Sequence, residues 1–164
     1  MSEHRVEEQR PDGEVVEICR DLIRIDTTNP GDGSGPGERA AAEYVATKLD
    51  EVGIESTLLE SAPGRTSLVA RWGDGPGEPL LIHGHLDVVP AAAEDWTLPP
   101  FAAEVQDGYL WGRGTVDMKD FDAMALSVVR DRVRTGRVPN RPLVLCFTAD
   151  EEAGGTYGAK YLVD

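Results

Sequence analysis

Apolar residues recur first at helical spacing. Val15, Ile18, Leu22 and Ile25 fall on one face from about Asp12, and residues 38–51 form a second, alanine-rich segment stopped by Gly53. Between them, residues 27–37 are polar and dense in glycine, the pattern of a connecting loop. After Gly53 the period changes. Residues 54–59 and 66–72 carry strand signals, and 73–79 a turn. Leu80-Leu81-Ile82 is a short, continuously apolar run, the pattern of a strand buried on both faces, and it leads into His83-Gly84-His85-Leu86-Asp87. Residues 91–101 lack periodicity and read as a loop. Asp107-Gly108 between apolar flanks predicts a hairpin over 104–111. Residues 119–134 predict a helix with Phe121, Met124, Ala125, Val128 and Val129 as its buried stripe. A further buried strand follows at 142–147, and Gly154-Gly155 opens a last helix. Strands alternating with helices imply an α/β domain with a mostly parallel central sheet, in which ligands sit at the carboxyl ends of strands. Residues 1–12 read as a flexible tail and 13–164 as one domain.

The charge balance excludes some functions. Sixteen basic against 30 acidic residues, a net charge of −14, oppose nucleic-acid binding, which rests on Lys and Arg neutralising phosphates. Most of these acids read as solvated surface. Cys19 and Cys146 sit in apolar stretches without a C-x-x-C pattern, so both are expected as buried thiols in a reducing compartment. The N-terminus is polar, without a signal peptide, and no apolar run approaches the ~18 residues of a membrane span. A cytoplasmic protein without membrane contact is expected.

Three segments carry candidate chemistry. His85-Leu86-Asp87 follows an apolar strand; the imidazole is either a metal ligand or a hydrogen-bonded structural histidine, with Asp87 placed to fix its tautomer. Asp117 stands just before a helix, either as an N-cap or as a carboxylate able to bridge two cations. Asp150-Glu151-Glu152 ends the last strand. It is either a solvated acidic turn, or a pair in which one glutamate binds metal and its neighbour serves as general base. Together the three offer one nitrogen and several oxygen donors, a ligand set that zinc accepts. His83 reads as a packed, hydrogen-bonded neighbour, the glycine loop as a connector, and Trp96, Phe101 and Trp111 as packing around the site.

His85-x-Asp87 with Val88-Val89-Pro90, then Gly112-Arg113-Gly114-x-x-Asp117-x-Lys119, then Glu151-Glu152-x-Gly154-Gly155 resemble the signature set of the aminoacylase, acetylornithine deacetylase and carboxypeptidase G family of di-zinc hydrolases. The resemblance runs from about residue 14 to the end. It implies a layered α/β/α catalytic domain that cleaves an amide or peptide bond of a small acylated amino acid or short peptide. It implies two zinc ions, with cobalt or manganese as substitutes. His85 would be a terminal ligand, Asp117 the bridge and Glu152 a ligand of the other ion. Glu151 would be the general base, with Asp87 orienting His85. A cis peptide is implied at Asp117-Met118. Family members are homodimers; their lid and dimerisation domain, a further carboxylate ligand and a late histidine lie beyond position 164. The resemblance therefore treats this chain as the front part of the domain. It leaves open an incompetent fragment or a single-metal module, with weak zinc binding and little activity. Asp120 stands where the family has glycine.

Overall fold

A computed structural model describes residues 11–164 of the chain. The expected tail lies outside them up to Arg10, while Pro11 and Asp12 already belong to helix α1, Pro11–Arg24. Proline suits a first helical position, where its missing N–H is an orphan anyway. Helix α1 buries Ile18, Cys19, Leu22 and Ile23. Helix α2, Arg39–Asp50, buries Ala41, Ala42, Val45 and Leu49. It ends at Gly53, whose positive φ lets Gly53 N–H reach Asp50 O and Ile54 N–H reach Leu49 O.

Six strands follow: β1 Ser56–Ala62, β2 Arg65–Trp72, β3 Leu80–His85, β4 Glu104–Gln106, β5 Tyr109–Trp111 and β6 Leu143–Thr148. Four of them form one sheet in the order β1-β2-β6-β3, and β4 pairs with β5 in the hairpin that Asp107-Gly108 predicts. Both turn residues have positive φ, the geometry that matches a twisted two-residue hairpin. Helix α3, Lys119–Arg134, crosses between β3 and β6. A short 3-10 turn, Glu151–Ala153, leads to helix α4, Ala159–Val163. The last helix thus starts five residues beyond Gly154, because Gly154 and Gly155 both hold left-handed conformations that break the chain direction.

The α/β architecture agrees with the sequence pattern, but the sheet is mixed rather than mostly parallel. Only β3–β6 is parallel; β1–β2 and β2–β6 are antiparallel. The two-residue Pro63-Gly64 connection forces the first of these, since a parallel pair needs a crossover such as the one α3 supplies. Strand β3 also departs from expectation. It pairs on one side only among the described residues, and Leu80 and Leu81 are 47% and 58% exposed.

The core joins α1, α2 and α3 to the sheet face bearing Leu68, Ala70, Leu145 and Phe147. Helix α3 is partly rotated from the expected stripe: Val129 is buried as expected and Ala125 packs against the core. Met124 and Val128 are exposed, while Ala123, Leu126 and Val129 are buried beside Lys119, Asp122, Ser127 and Arg130. Two of these polar residues have distant partners that make burial tolerable. Lys119 Nζ donates to Leu22 O and Ile25 O, both at 2.8 Å, closing the carbonyl end of α1. Arg130 pairs with Glu14 at 2.8 Å and Glu51 at 2.7 Å. No helix of the described residues is long and apolar enough to cross a membrane.

Candidate metal centre

Parallel pairing of β3 with β6 sets the site. His85 is the last residue of β3 and lies opposite Thr148, the last of β6. Both strands therefore release their chemistry-bearing residues at one sheet edge. Asp117 reaches the same edge from the loop before α3. It does not cap that helix: Met118 is the N-cap residue, with no side-chain bond. The Asp117-Met118 peptide is cis.

His85 Nε2 stands 3.1 Å from Asp117 Oδ1 and 3.8 Å from Glu151 Oε2. One ligand atom each of His85, Asp117 and Glu152 lie within 4.8 Å of one another. The His85 side chain is buried, whereas those of Asp117 and Glu151 are 75% and 53% exposed, so the cluster opens to solvent on the carboxylate side. His85 Nδ1 is 3.0 Å from the carbonyl of Asp87. A carbonyl only accepts, so Nδ1 carries a proton and, in the neutral ring, Nε2 turns its lone pair towards Asp117.

Electrostatics fit a cation here. Burial opposes the His85 imidazolium, but the Asp87 and Asp117 carboxylates outweigh it and lift the ring to about 9. Burial, with the charges of Asp117, Asp87 and Glu151, pushes Glu152 upward against the pull of His85. Asp87, Asp117, Glu151 and Glu152 carry more negative charge than one imidazolium offsets, and a divalent ion bound by one nitrogen and carboxylate oxygens supplies the difference.

Asp87 is buried, and its bonds extend past His85. Oδ1 accepts Glu151 N–H at 3.0 Å, and Oδ2 accepts Glu152 N–H at 3.1 Å and the Asn29 amide at 2.8 Å. Burial alone would raise this carboxyl; these donors and His85 hold it below the ordinary range. Asp87 thus grips the turn that carries both glutamates as well as the neighbourhood of His85. Asn29, Arg65, Glu38 and Asp150 belong to the same buried network; the sequence pattern points to Asp150 only as part of the acidic turn and to the other three not at all. Asn29 sits in the glycine-dense loop read as a connector. The only signal there was a polar run too well supplied with turn residues to stand out.

The remaining expectations divide. His83 hydrogen-bonds Thr148 Oγ1 at 3.1 Å but is exposed rather than packed. Trp96 is partly buried under the Arg113 guanidinium, 5.3 Å from its ring centre, while Trp111 is 44% exposed because its hairpin strand pairs, among the described residues, only with β4.

Residues 81–164 match the family described as Peptidase family M20/M25/M40. The chain belongs to this family. Peptidase M20 membership implies use of a divalent metal, consistent with the His85, Asp117 and Glu152 cluster. The succinyl-diaminopimelate desuccinylase of Roseobacter denitrificans is 36% identical over 159 residues, covering 93% of this chain and 39% of that protein. That of Gluconacetobacter diazotrophicus is 38% identical over 147 residues, covering 88% of this chain and 36% of that protein. The chain spans about two fifths of the length of these curated relatives. The M20 family metallo-carboxypeptidase Sso-CP2 of Sulfolobus solfataricus superimposes with TM-score 0.75 at 22% identity, over 87% of this chain and 32% of that one. Human carnosine dipeptidase 1 does so with TM-score 0.74 at 23% identity, over 95% and 35%. These likenesses establish the shared M20 fold.

Proposed function

We propose that this chain supplies the metal-binding edge of a zinc-dependent hydrolase that cleaves an amide or peptide bond in a small acylated amino acid or short peptide. The observation that carries the reading is the convergence of His85, Asp117 and Glu152 ligand atoms within 4.8 Å, beside Glu151. The relatives named as succinyl-diaminopimelate desuccinylases favour an N-acyl substrate. The two buried free thiols suit a reducing, cytoplasmic setting.

In this reading His85, Asp117 and Glu152 would hold the metal, with Asp117, which has two carboxylate oxygens, shared between two ions. A bound divalent cation supplies acidity to a water and polarisation to a carbonyl. The chain's own residues do the rest. Asp87 keeps the His85 Nε2 lone pair aimed inward through its backbone carbonyl. Glu151, half exposed and not needed by the ligand trio, takes the proton of the attacking water and returns it to the departing nitrogen.

Dialysis against zinc and metal analysis of the purified chain test the proposal. Bound zinc lost in His85→Ala and Glu152→Ala supports it. Retention by both variants at the wild-type level refutes it. In a catalytically active preparation, Glu151→Gln keeps the metal but lowers kcat by about 10²–10⁴-fold on N-acyl amino acids; undiminished turnover removes Glu151 from its role. A one-ion reading has its own support: among the described residues one ligand trio converges, which favours about one ion per 164-residue chain.

A further inference from the structure

We infer that Asn29 is a positioning residue for the proposed metal centre: its single side-chain amide ties together Asp87 and Asp150, the two acids that hold the Glu151-Glu152 turn. The inference rests on the metal-centre reading and adds a residue that touches neither metal ligand nor substrate.

Asn29 is 3% exposed. Its Nδ2 carries two protons, and both are used: one towards Asp87 Oδ2 at 2.8 Å, the other towards Asp150 Oδ1 at 3.2 Å. Its Oδ1 accepts from Arg65 Nη2 at 2.8 Å and from Gly31 N–H at 3.1 Å. The side chain's hydrogen-bonding capacity is filled. Asp87 then binds the backbone N–H groups of Glu151 and Glu152. Asp150 precedes that pair in a left-handed conformation, and its second oxygen accepts Tyr157 N–H at 3.0 Å. The turn is thereby gripped at its start and from beneath, and both grips meet at one amide.

Behind Asn29 stands a charged anchor. Arg65, 6% exposed, bonds Glu38 Oε1 at 2.5 Å, and Glu38 is fully buried. The backbone fixes the approach: Asn29 N–H donates to Val88 O at 2.9 Å, and Val88 N–H to Thr27 O at 3.2 Å. This bridge laces the glycine-dense loop beside Asp87. No other side chain serves both ends of the link. Aspartate loses the donor and adds a third like charge, leucine takes one hydrogen bond from each of the two acids and one from the guanidinium, and glutamine is one methylene too long for the gap.

Asn29→Asp is the sharpest test, because it keeps the shape and the acceptor for Arg65 and Gly31 while deleting the donor. Thr27→Val is the control. Thr27 is equally buried in the same loop and donates to Leu86 O at 2.7 Å, but it has no bond to either acid. Affinity for Co²⁺ and the visible spectrum of the bound ion are read alongside thermal melting. Asn29→Asp is expected to weaken Co²⁺ binding by about 10–100-fold, the usual effect of removing a residue that orients ligands, and to change the spectrum. Thr27→Val lowers the melting temperature yet leaves affinity and spectrum as in wild type. Should Asn29→Asp fail to fold, Arg65→Lys decides: it keeps the charge facing Glu38, drops the bond to Asn29, and is expected to weaken Co²⁺ in the same direction by less. Wild-type affinity and spectrum in Asn29→Asp, or in Arg65→Lys where Asn29→Asp is unfolded, overturn the inference alone. So does an equal loss in Thr27→Val. Failure of wild type itself to bind Co²⁺ overturns the metal-centre reading together with it.

Discussion

Asp87→Asn perturbs one buried carboxylate while preserving its shape. In the native chain Asp87 is 0% exposed and receives Glu151 N–H at 3.0 Å, Glu152 N–H at 3.1 Å and the Asn29 amide at 2.8 Å. Asparagine offers one oxygen for these three donors. Its best rotamer turns that oxygen to the Asn29 and Glu152 side, so its own NH₂ confronts Glu151 N–H. An orphaned buried N–H costs about 1–3 kcal/mol, and each surviving bond, no longer to a charged acceptor, weakens by about 1 kcal/mol. The loss is about 3–5 kcal/mol. The charge of Asp87 is a net favourable feature, since its donors outweigh burial and hold the carboxyl below the ordinary range. Relief of desolvation therefore does not cancel the loss. Against a domain stability of about 5–15 kcal/mol this is a large fraction. Urea unfolding at pH 7 without metal gives the stability change as a lower midpoint at unchanged slope. Metal titration gives the second effect, an affinity lower by about 10–100-fold. A midpoint within about 0.5 kcal/mol of wild type together with unaltered metal affinity refutes the hydrogen-bond assignment and the role built on it.

Other consequences are as direct. Leu126→Ala, at a fully buried position of α3, loses about 2–5 kcal/mol, while Met124→Ala, 46% exposed, loses well under half of that; equal losses in thermal melts contradict the observed helix phase. Burial works to raise the Glu14 carboxyl, but Arg134 and Arg130 overcome it and lower it below 4.5. Its stabilisation is thus complete above about 4.5 and disappears as pH falls through the lower folded-state value. Glu14→Gln flattens that part of the stability profile between pH 3 and 6, and an unchanged slope speaks against the pair. A methyl group on Gly84 meets the buried Asp122 Oδ1 at 2.1 Å, so the Asp122 side chain must shift to admit it. Gly84→Ala costs about 1–3 kcal/mol; most of it returns in the Gly84→Ala, Asp122→Ala double variant, and strictly additive effects dispose of the clash.

Local pattern sufficed where a residue's surroundings come from its own segment. The α1 and α2 stripes, the Gly53 stop and the Asp107-Gly108 turn are of this kind. It failed where burial is granted by a distant partner. Met124 and Val128 are more apolar than Lys119 and Arg130, yet Lys119 and Arg130 take inward positions while Met124 and Val128 face out. Their bonds reach Leu22, 97 residues away, and Glu14, 116 residues away, and no periodicity encodes those. Leu80 and Leu81 failed for the opposite reason: an apolar run reports what a strand tolerates, and its neighbours decide whether it is covered.

The same division runs through the candidate site. His85, Asp117 and Glu152 are readable because metal chemistry selects few side chains, and those chains are rare on apolar strand ends. What aims them is a neutral amide in a loop of glycines, with no chemistry of its own to advertise. Yet the aim follows from the fold with little freedom. Register places His85 across from Thr148, so the chain two residues past one strand and three to four past the other must meet at one edge. Two acids, Asp87 and Asp150, arrive there buried at 0% and 4% exposure, and like charges so placed separate unless something binds both. The loop after α1, drawn in by backbone bonds of Thr27 and Asn29 to Val88, is the element that reaches the gap between them. A donor with two protons and no charge resolves the repulsion without adding to it, and Asn29 is that donor.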